Sequence, residues 1–457
     1  MEKKGMIDEN AYISEIRVKS QKSVEEKGMS EMKGKKLKRF GWIAATVLLA
    51  AVCFIGGMAT VWFTLDPQIR MLVKVKKTID EHYYQELDDE SFYNAIFDAV
   101  NGELDPYSKY MTAEGYVQSS NDLNGRRIGI GVSFSTAAIA EGKLKIVRVA
   151  GNSPAEKAGL TAGSYLTGFG KTEATLVHSE DYDEFSAFLD TTEEGELFLL
   201  QVQTTEGTKL VSISREAYAE NYVFYRSNRT SYGFTGANAT TLTELGTPLS
   251  SLPDDTAYIR LVRFGGEAVR EFEATMSVFK QENKKNLVLD LRGNGGGYLN
   301  VMQGIAAYFC KNSDERTPVA AIADYGDREE RYLAKGNVYQ EYFEEDSRIC
   351  ILADSGSASA AECLIGVLVD YGASGYGDIC LSEREGVAKT YGKGIMQQHF
   401  TMSAQGDVLK LTTAQVRWPV TKYSIHARGV LPEDGTKTVA EGVTDEAELE
   451  AAIHALF

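Results

Sequence analysis

The sequence predicts a multidomain α+β protein: an N-terminal transmembrane helix, a helical segment, a compact β-sandwich or barrel with two helices, and an α/β core. Three observations predict it. Residues 40–65 hold no charged side chain over 26 positions. Near residue 125 helical periodicity gives way to short β-rich runs punctuated by glycine. From residue 256 onward strands and helices alternate, the mark of a sheet covered by helices. A chain of 457 residues is in any case too long for one ordinary domain.

The run "FGWIAATVLLAAVCFIGGMATVWFTL" (40–65) is long enough to cross a bilayer as a helix. The basic cluster "KGKKLKR" (33–39) directly precedes it, so the positive-inside rule leaves residues 1–39 as a polar cytoplasmic tail and everything after residue 65 outside the cell. Charge divides the same way: residues 1–39 carry net +4, the remainder −21. An acidic body excludes general nucleic-acid binding, which needs a basic face. Over 67–118 two amphipathic helices are expected, with Leu72, Val75 and Ile79 on one stripe and Phe92, Ile96 and Val100 on another. Residues 119–215 read as the β-rich module. Its first helix, "SPAEKAGL", is opened by Ser153 as N-cap and Pro154 at the first position. Residues 216–457 form the largest unit, where "NLVLDLR" and "RICILADS" are continuous apolar strands of a sheet buried on both faces. Five cysteines without a C-x-x-C pair read as buried thiols, with one disulfide left open. Five histidines without an H-x-x-x-H pair predict no metal site, and no cofactor is expected.

Chemistry concentrates in three places. In "DSGSASAAECLIGVL" (354–368) Ser357 and Ser359 stand between a buried strand and an apolar helix. Catalytic groups gather at such carboxyl strand ends, and the free N–H groups of a helix start suit an oxyanion hole. Either serine could also be a plain N-cap. A serine nucleophile needs a base. His399 and His426 are available, and so are Lys389 and Lys393 in "KTYGKGIMQQHF" (389–400). Lys393 lies between glycines and is followed by apolar residues, an environment that favours a neutral amine. Gln397, four residues on, would hold that amine if both lie on one helical face. The glycine turn in "DLRGNGGGYL" (290–299) lacks a Walker lysine and is free to supply further backbone N–H groups.

Together these pieces resemble the carboxy-terminal processing peptidases, serine proteases with a PDZ domain and a Ser–Lys pair. The resemblance covers residues 67–435. "LDPYSKYM" is similar to a family segment preceding the PDZ domain. "GIGVSF" with "VAGNSPAEKAGLTAGSYLTGFG" is similar to the PDZ peptide-binding strand and its following helix, with Ser164 in place of an aspartate. "YIRLVRF" and "LVLDLRGNGGGYL" match with Gly295 for a proline, "SASAAE" matches with Ala361 for a serine, and "YGKGIMQ" and "IHARGVLPED" complete the order. The resemblance implies Ser359 as nucleophile, Lys393 as general base and Gln397 as the residue orienting it, with the N–H groups of Gly296 and Ala360 as the oxyanion hole. Ile128, Gly129, Ile130, Gly131 and Val132 would form the peptide-binding strand and carboxylate turn of the PDZ domain. It implies a membrane-anchored, extracytoplasmic endopeptidase acting on proteins with exposed C-termini, and a dimer through the terminal segments. The alternative is a non-catalytic relative that captures C-termini without cutting. Ser359 and Lys393 are 34 positions apart, more than the family pattern, and the surplus in "YGASGYGDICLSEREGVA" reads as an inserted loop.

Overall fold

The computed structural model describes residues 45–457 except 59, 84, 236–240 and 443, together with positions 17, 18, 20, 29, 40, 42 and 43. The expected cytoplasmic tail therefore lies almost wholly outside the described residues. The chain divides into two compact units, Met1–Ile96 and Phe97–Phe457. The first contains a helix, Ala45–Thr64, long and apolar enough to cross a membrane. Helix α1 (Pro67–His82) follows, started by Asp66, whose carboxylate accepts the Gln68 N–H, and by Pro67 at the first position. Helix α2 (Asp89–Glu103) then leads into the second unit.

Within that unit β1 (Lys109–Met111) and α3 (Ala113–Leu123) come first. The β-rich module follows. It comprises β2 (Arg126–Gly129), β3 (Val132–Phe134), α4 (Thr136–Ala140), β4 (Leu144–Val149), α5 (Pro154–Lys157), β5 (Tyr165–Gly170), α6 (Tyr182–Asp190), β6 (Leu197–Thr204), β7 (Gly207–Ser214) and β8 (Glu216–Ala219). Strands β3 to β7 form one sheet in sequence order, with β3 at its edge, while β2 pairs with β8. Period-2 alternation drives the packing: Phe198, Leu200 and Val202 of β6 point into a core shared with Leu144, Ile146, Leu166 and Phe185. Helix α3 runs across the boundary expected at 118/119, and the β2–β8 ladder carries the module past the one expected at 215/216. Neither end is marked by a change in local composition.

The last region holds β9 (Val223–Arg226), β10 (Ser231–Thr235), β11 (Thr241–Glu244), β12 (Thr256–Leu261), α7 (Ala268–Gln281), β13 (Asn286–Asp290), α8 (Leu299–Ala306), β14 (Val319–Asp324), β15 (Glu329–Leu333), α9 (Tyr339–Tyr342), β16 (Ile349–Ala353), α10 (Ala360–Asp370), β17 (Ile379–Ser382), β18 (Ile395–Thr401), β19 (Val408–Arg417), β20 (Lys437–Val439) and α11 (Asp445–Leu456). Its central sheet has the order β11-β10-β9-β12-β13-β16-β17-β20, parallel from β12 through β20. Alternate residues serve opposite faces. Leu287, Leu289, Ile349 and Ile351 pack with α7, α8 and α10, whereas Val288, Cys350, Leu352 and Cys380 pack with α11. This three-layer arrangement explains why these strands lack a polar alternation. A second, antiparallel sheet runs β1-β19-β14-β15, with β18 added on β19.

Two expectations are corrected. The stretch between Ser359 and Lys393 that reads as an inserted loop is not loop throughout. It contains β17, buried in the central sheet between β16 and β20, because "ICLS" is apolar enough to be covered on both faces. Gln397 is not on a helix with Lys393. The residues after Gly394 form β18, whose β-branched and aromatic side chains favour an extended chain, so i and i+4 are no longer one turn apart.

Candidate active site

The turn after β16 distinguishes its two serines. Ser357 is fully buried and its hydroxyl is committed, donating to the Leu291 carbonyl at 2.8 Å and accepting the Asp354 N–H at 3.0 Å. Ser359 is half-exposed, immediately before α10, and makes no side-chain cap hydrogen bond. Its backbone has φ 58° and ψ −115°. A non-glycine residue with positive φ is strained, and Ser359 holds that conformation at the positive end of α10.

A second glycine turn presses against it. A Cβ added to Gly296 would lie 2.8 Å from Ser359 Cβ and 2.9 Å from Ala360 N, so only glycine fits at its φ of +92°. Gly296, Ser359 and Ala360 are thus brought together. Ala360 opens α10, where an N–H has no intrahelical acceptor. The Gly296 N–H, however, donates to Asn294 Oδ1 at 2.9 Å, while Asn294 donates to the Leu261 carbonyl. As an oxyanion donor Gly296 would have to share or release that bond. Asp354 joins the two turns by accepting the N–H groups of Gly293 at 2.8 Å and Gly356 at 2.9 Å through one oxygen. Arg384, from the segment holding β17, pairs with its other oxygen at 3.0 Å.

Lys393 is brought in by a buried carboxylate that the sequence reading left without a role. Glu362 is fully buried, three residues into α10. Its Oε2 accepts the Ser359 N–H and the Lys393 N–H, each at 2.9 Å. The two nitrogens are therefore no further apart than those two bonds end to end. Its Oε1 accepts the Thr390 hydroxyl at 2.6 Å and the Gly392 N–H at 2.7 Å. Burial nevertheless outweighs these four donors and raises the Glu362 pKa. The pattern S-x-x-E at a helix start was the available signal. Burial also lowers the Lys393 pKa, assisted by the positive charge of Lys410 and opposed by Asp105 and Glu362. Among the described residues the amine has no hydrogen bond or ion pair. It lies over the Tyr107 ring, 4.6 Å from its centre.

Ile128, Gly129, Ile130, Gly131 and Val132 are also brought together, on the wall of an open cavity of about 1180 Å³. Gly131 must be glycine: at φ +85° a Cβ there would meet Ser153. The carbonyls of Ile130 and Gly131 are held by the Ala155 and Ala150 N–H groups, both at 2.8 Å. Across the cavity from the β3 edge stands α6, with Phe134 edge-on to Phe185 at 5.8 Å.

Residues 255–434 match the model of peptidase family S41. A Staphylococcus saprophyticus protein named "Probable CtpA-like serine protease" is 25% identical over 369 residues, covering 80% of this chain and 65% of the relative. Its Staphylococcus aureus N315 counterpart is 26% identical over 394 residues, covering 86% and 69%. This chain thus spans about two thirds of the length of these relatives. A crystal structure of a Bacteroides fragilis protein assigned to S41 superposes with a TM-score of 0.50 at 16% identity, covering 81% of this chain and 90% of that one, a likeness of fold. The chain is thus similar to CtpA-like serine proteases over most of its length, and residues 255–434 carry the peptidase family S41 match.

The remaining sequence candidates lie apart from the serine turn's contacts. Gln397 Nε2 donates to Thr412 Oγ1 at 3.4 Å and not to Lys393. His399 packs edge-on against Tyr116 at 5.2 Å, and His426 is exposed beside Gly394.

Proposed function

We propose that the chain is a membrane-anchored, extracytoplasmic serine endopeptidase using Ser359 as nucleophile and Lys393 as general base. The observation that carries this reading is Glu362 Oε2, which takes the N–H groups of both residues and so ties base and nucleophile to one atom. The neutral Lys393 amine removes the Ser359 hydroxyl proton as the oxygen attacks the scissile carbonyl. The Ala360 N–H, with Gly296 as its second donor once it leaves Asn294, stabilises the tetrahedral oxyanion. The ammonium returns its proton to the leaving amine and an acyl-enzyme forms. Water then attacks, Lys393 takes the water proton, and the proton passes back to Ser359 as the acid departs. Gln397 supports the site through Thr412, which also bonds Asp105.

The module at 119–215 acts as a PDZ domain in this reading. The open β3 edge beside α6 suits β-augmentation by a substrate C-terminus, with its carboxylate against the glycine turn at 129–131. The basic cluster and the apolar helix Ala45–Thr64 support anchoring with the N-terminus inside. The test uses the detergent-solubilised full chain with a fluorescently labelled unfolded protein. Wild type cleaves it and Ser359→Ala does not. Equal behaviour of the two would favour a binding protein of the same fold.

A further inference from the structure

The turn at 104–108, "LDPYS", marks the chain's kinship, yet the mechanism above gives it no task. It is fastened to the strand that neighbours the base. Asp105 accepts the Thr412 hydroxyl at 3.1 Å and the Tyr107 N–H at 2.9 Å. Ser108 accepts the Thr412 N–H at 2.8 Å. Tyr107, half-buried, donates its hydroxyl to Tyr391 Oη at 3.1 Å, so its ring is held from the Lys393 side as well. The fixed face lies 4.6 Å from Lys393 Nζ, an amine with no hydrogen bond or ion pair among the described residues.

We propose that Tyr107 is a positioning residue for the Lys393 amine, its clamped ring forming the wall that holds Nζ in place and keeps water from it. The proposal rests on Lys393 being the base. Two effects of the ring oppose one another. Its negative face favours the ammonium, while its bulk removes water and favours the neutral amine. The charged and titratable groups around Nζ are Lys410 on β19, Asp105 in the same turn, Glu362 on α10, and the hydroxyls of Tyr107 and Tyr391. Burial is the largest influence on Lys393 and lowers its pKa, so the water-excluding effect is the one whose loss is felt first.

The experiment measures kcat/KM of the full chain on the labelled unfolded protein between about pH 6 and pH 10. Tyr107→Ala admits water, and the basic limb moves up by about one unit. Activity then falls about tenfold at neutral pH, and the gap to wild type closes in alkali. Tyr107→Leu keeps the bulk without the ring face, so its limb moves the other way, to lower pH. Tyr107→Phe keeps the ring and restores the wild-type limb. A purely structural role would lower activity by the same factor at every pH, and an unmoved limb in both Tyr107→Ala and Tyr107→Leu overturns the proposal. Should Tyr107→Ala fail to fold, Tyr107→Leu decides alone. Lys393→Ala separates the two levels. If it stays active with the wild-type limb, the base assignment is lost. If it is dead while the Tyr107 limbs stand still, only the role of Tyr107 is lost.

Discussion

Around Ser359 the polar atoms that frame the turn are hydrogen-bonded, whereas the strand edge at 132–134 is left open. The serine turn is framed by buried carboxylates: Asp354 ties two glycine turns, and Glu362 gathers four donors from two segments. The groove at 128–134 is framed by apolar side chains from β3 and α6, with backbone bonds only behind its turn. The difference follows from the two tasks. Attack on a carbonyl demands atoms held to a fraction of an ångström, which buried hydrogen bonds in low dielectric supply. Capture of a chain end demands unpaired backbone and an adaptable apolar wall.

Substitutions should separate the regions sharply. The largest effect belongs to Ser359→Ala, which is expected to reduce kcat/KM by more than about a thousandfold while leaving thermal stability near wild type. Activity within tenfold of wild type would move the nucleophile elsewhere. Next is Glu362→Gln. Its NH2 group replaces one of the two oxygens and so faces either the N–H groups of Ser359 and Lys393 or that of Gly392, at a cost of about 1–3 kcal/mol per unsatisfied donor. Urea unfolding should show that loss, and kcat should fall with it. Gly296→Ala forces a Cβ against Ser359 and Ala360. It is expected to lower kcat by about 100–1,000-fold, as loss of one oxyanion donor does, with KM little changed. The smallest effect is expected in the groove. Leu189 of α6 lines the cavity, so Leu189→Asp places a charge on its wall and should raise KM for a protein substrate about tenfold. Turnover of a short peptide that does not reach the groove should stay unchanged, and a fall in both would mean that the two regions are not separable.

What the sequence made legible follows the same division. Ser359, Lys393 and the segment at 128–132, which the fold divides between β2 and β3, could be singled out as candidates because each sits in a local string whose spacing carries its meaning. The frame around them could not. Glu362 lies among apolar helix residues, and its partners at 390–393 are distant in sequence, so only the fold shows that it is a hub. The i, i+4 spacing of Lys393 and Gln397 suggested a helical face where a strand forms, since residues after Gly394 satisfy both patterns over so short a run. "ICLS" passed for part of a loop because four residues are too few to reveal a strand buried on both faces. Tyr107 could be read only as a marker, because its ring meets Lys393 from 286 positions away in the chain.

The central claim is that Lys393 activates Ser359, and covalent labelling tests it most directly. The full chain is treated with a serine-reactive fluorophosphonate at neutral and alkaline pH, and the adduct is mapped by mass spectrometry. One adduct is expected, on Ser359, forming faster as pH rises through the lowered pKa of Lys393 and absent in Lys393→Ala. An adduct on another serine, or undiminished labelling of Ser359 in Lys393→Ala, would contradict it.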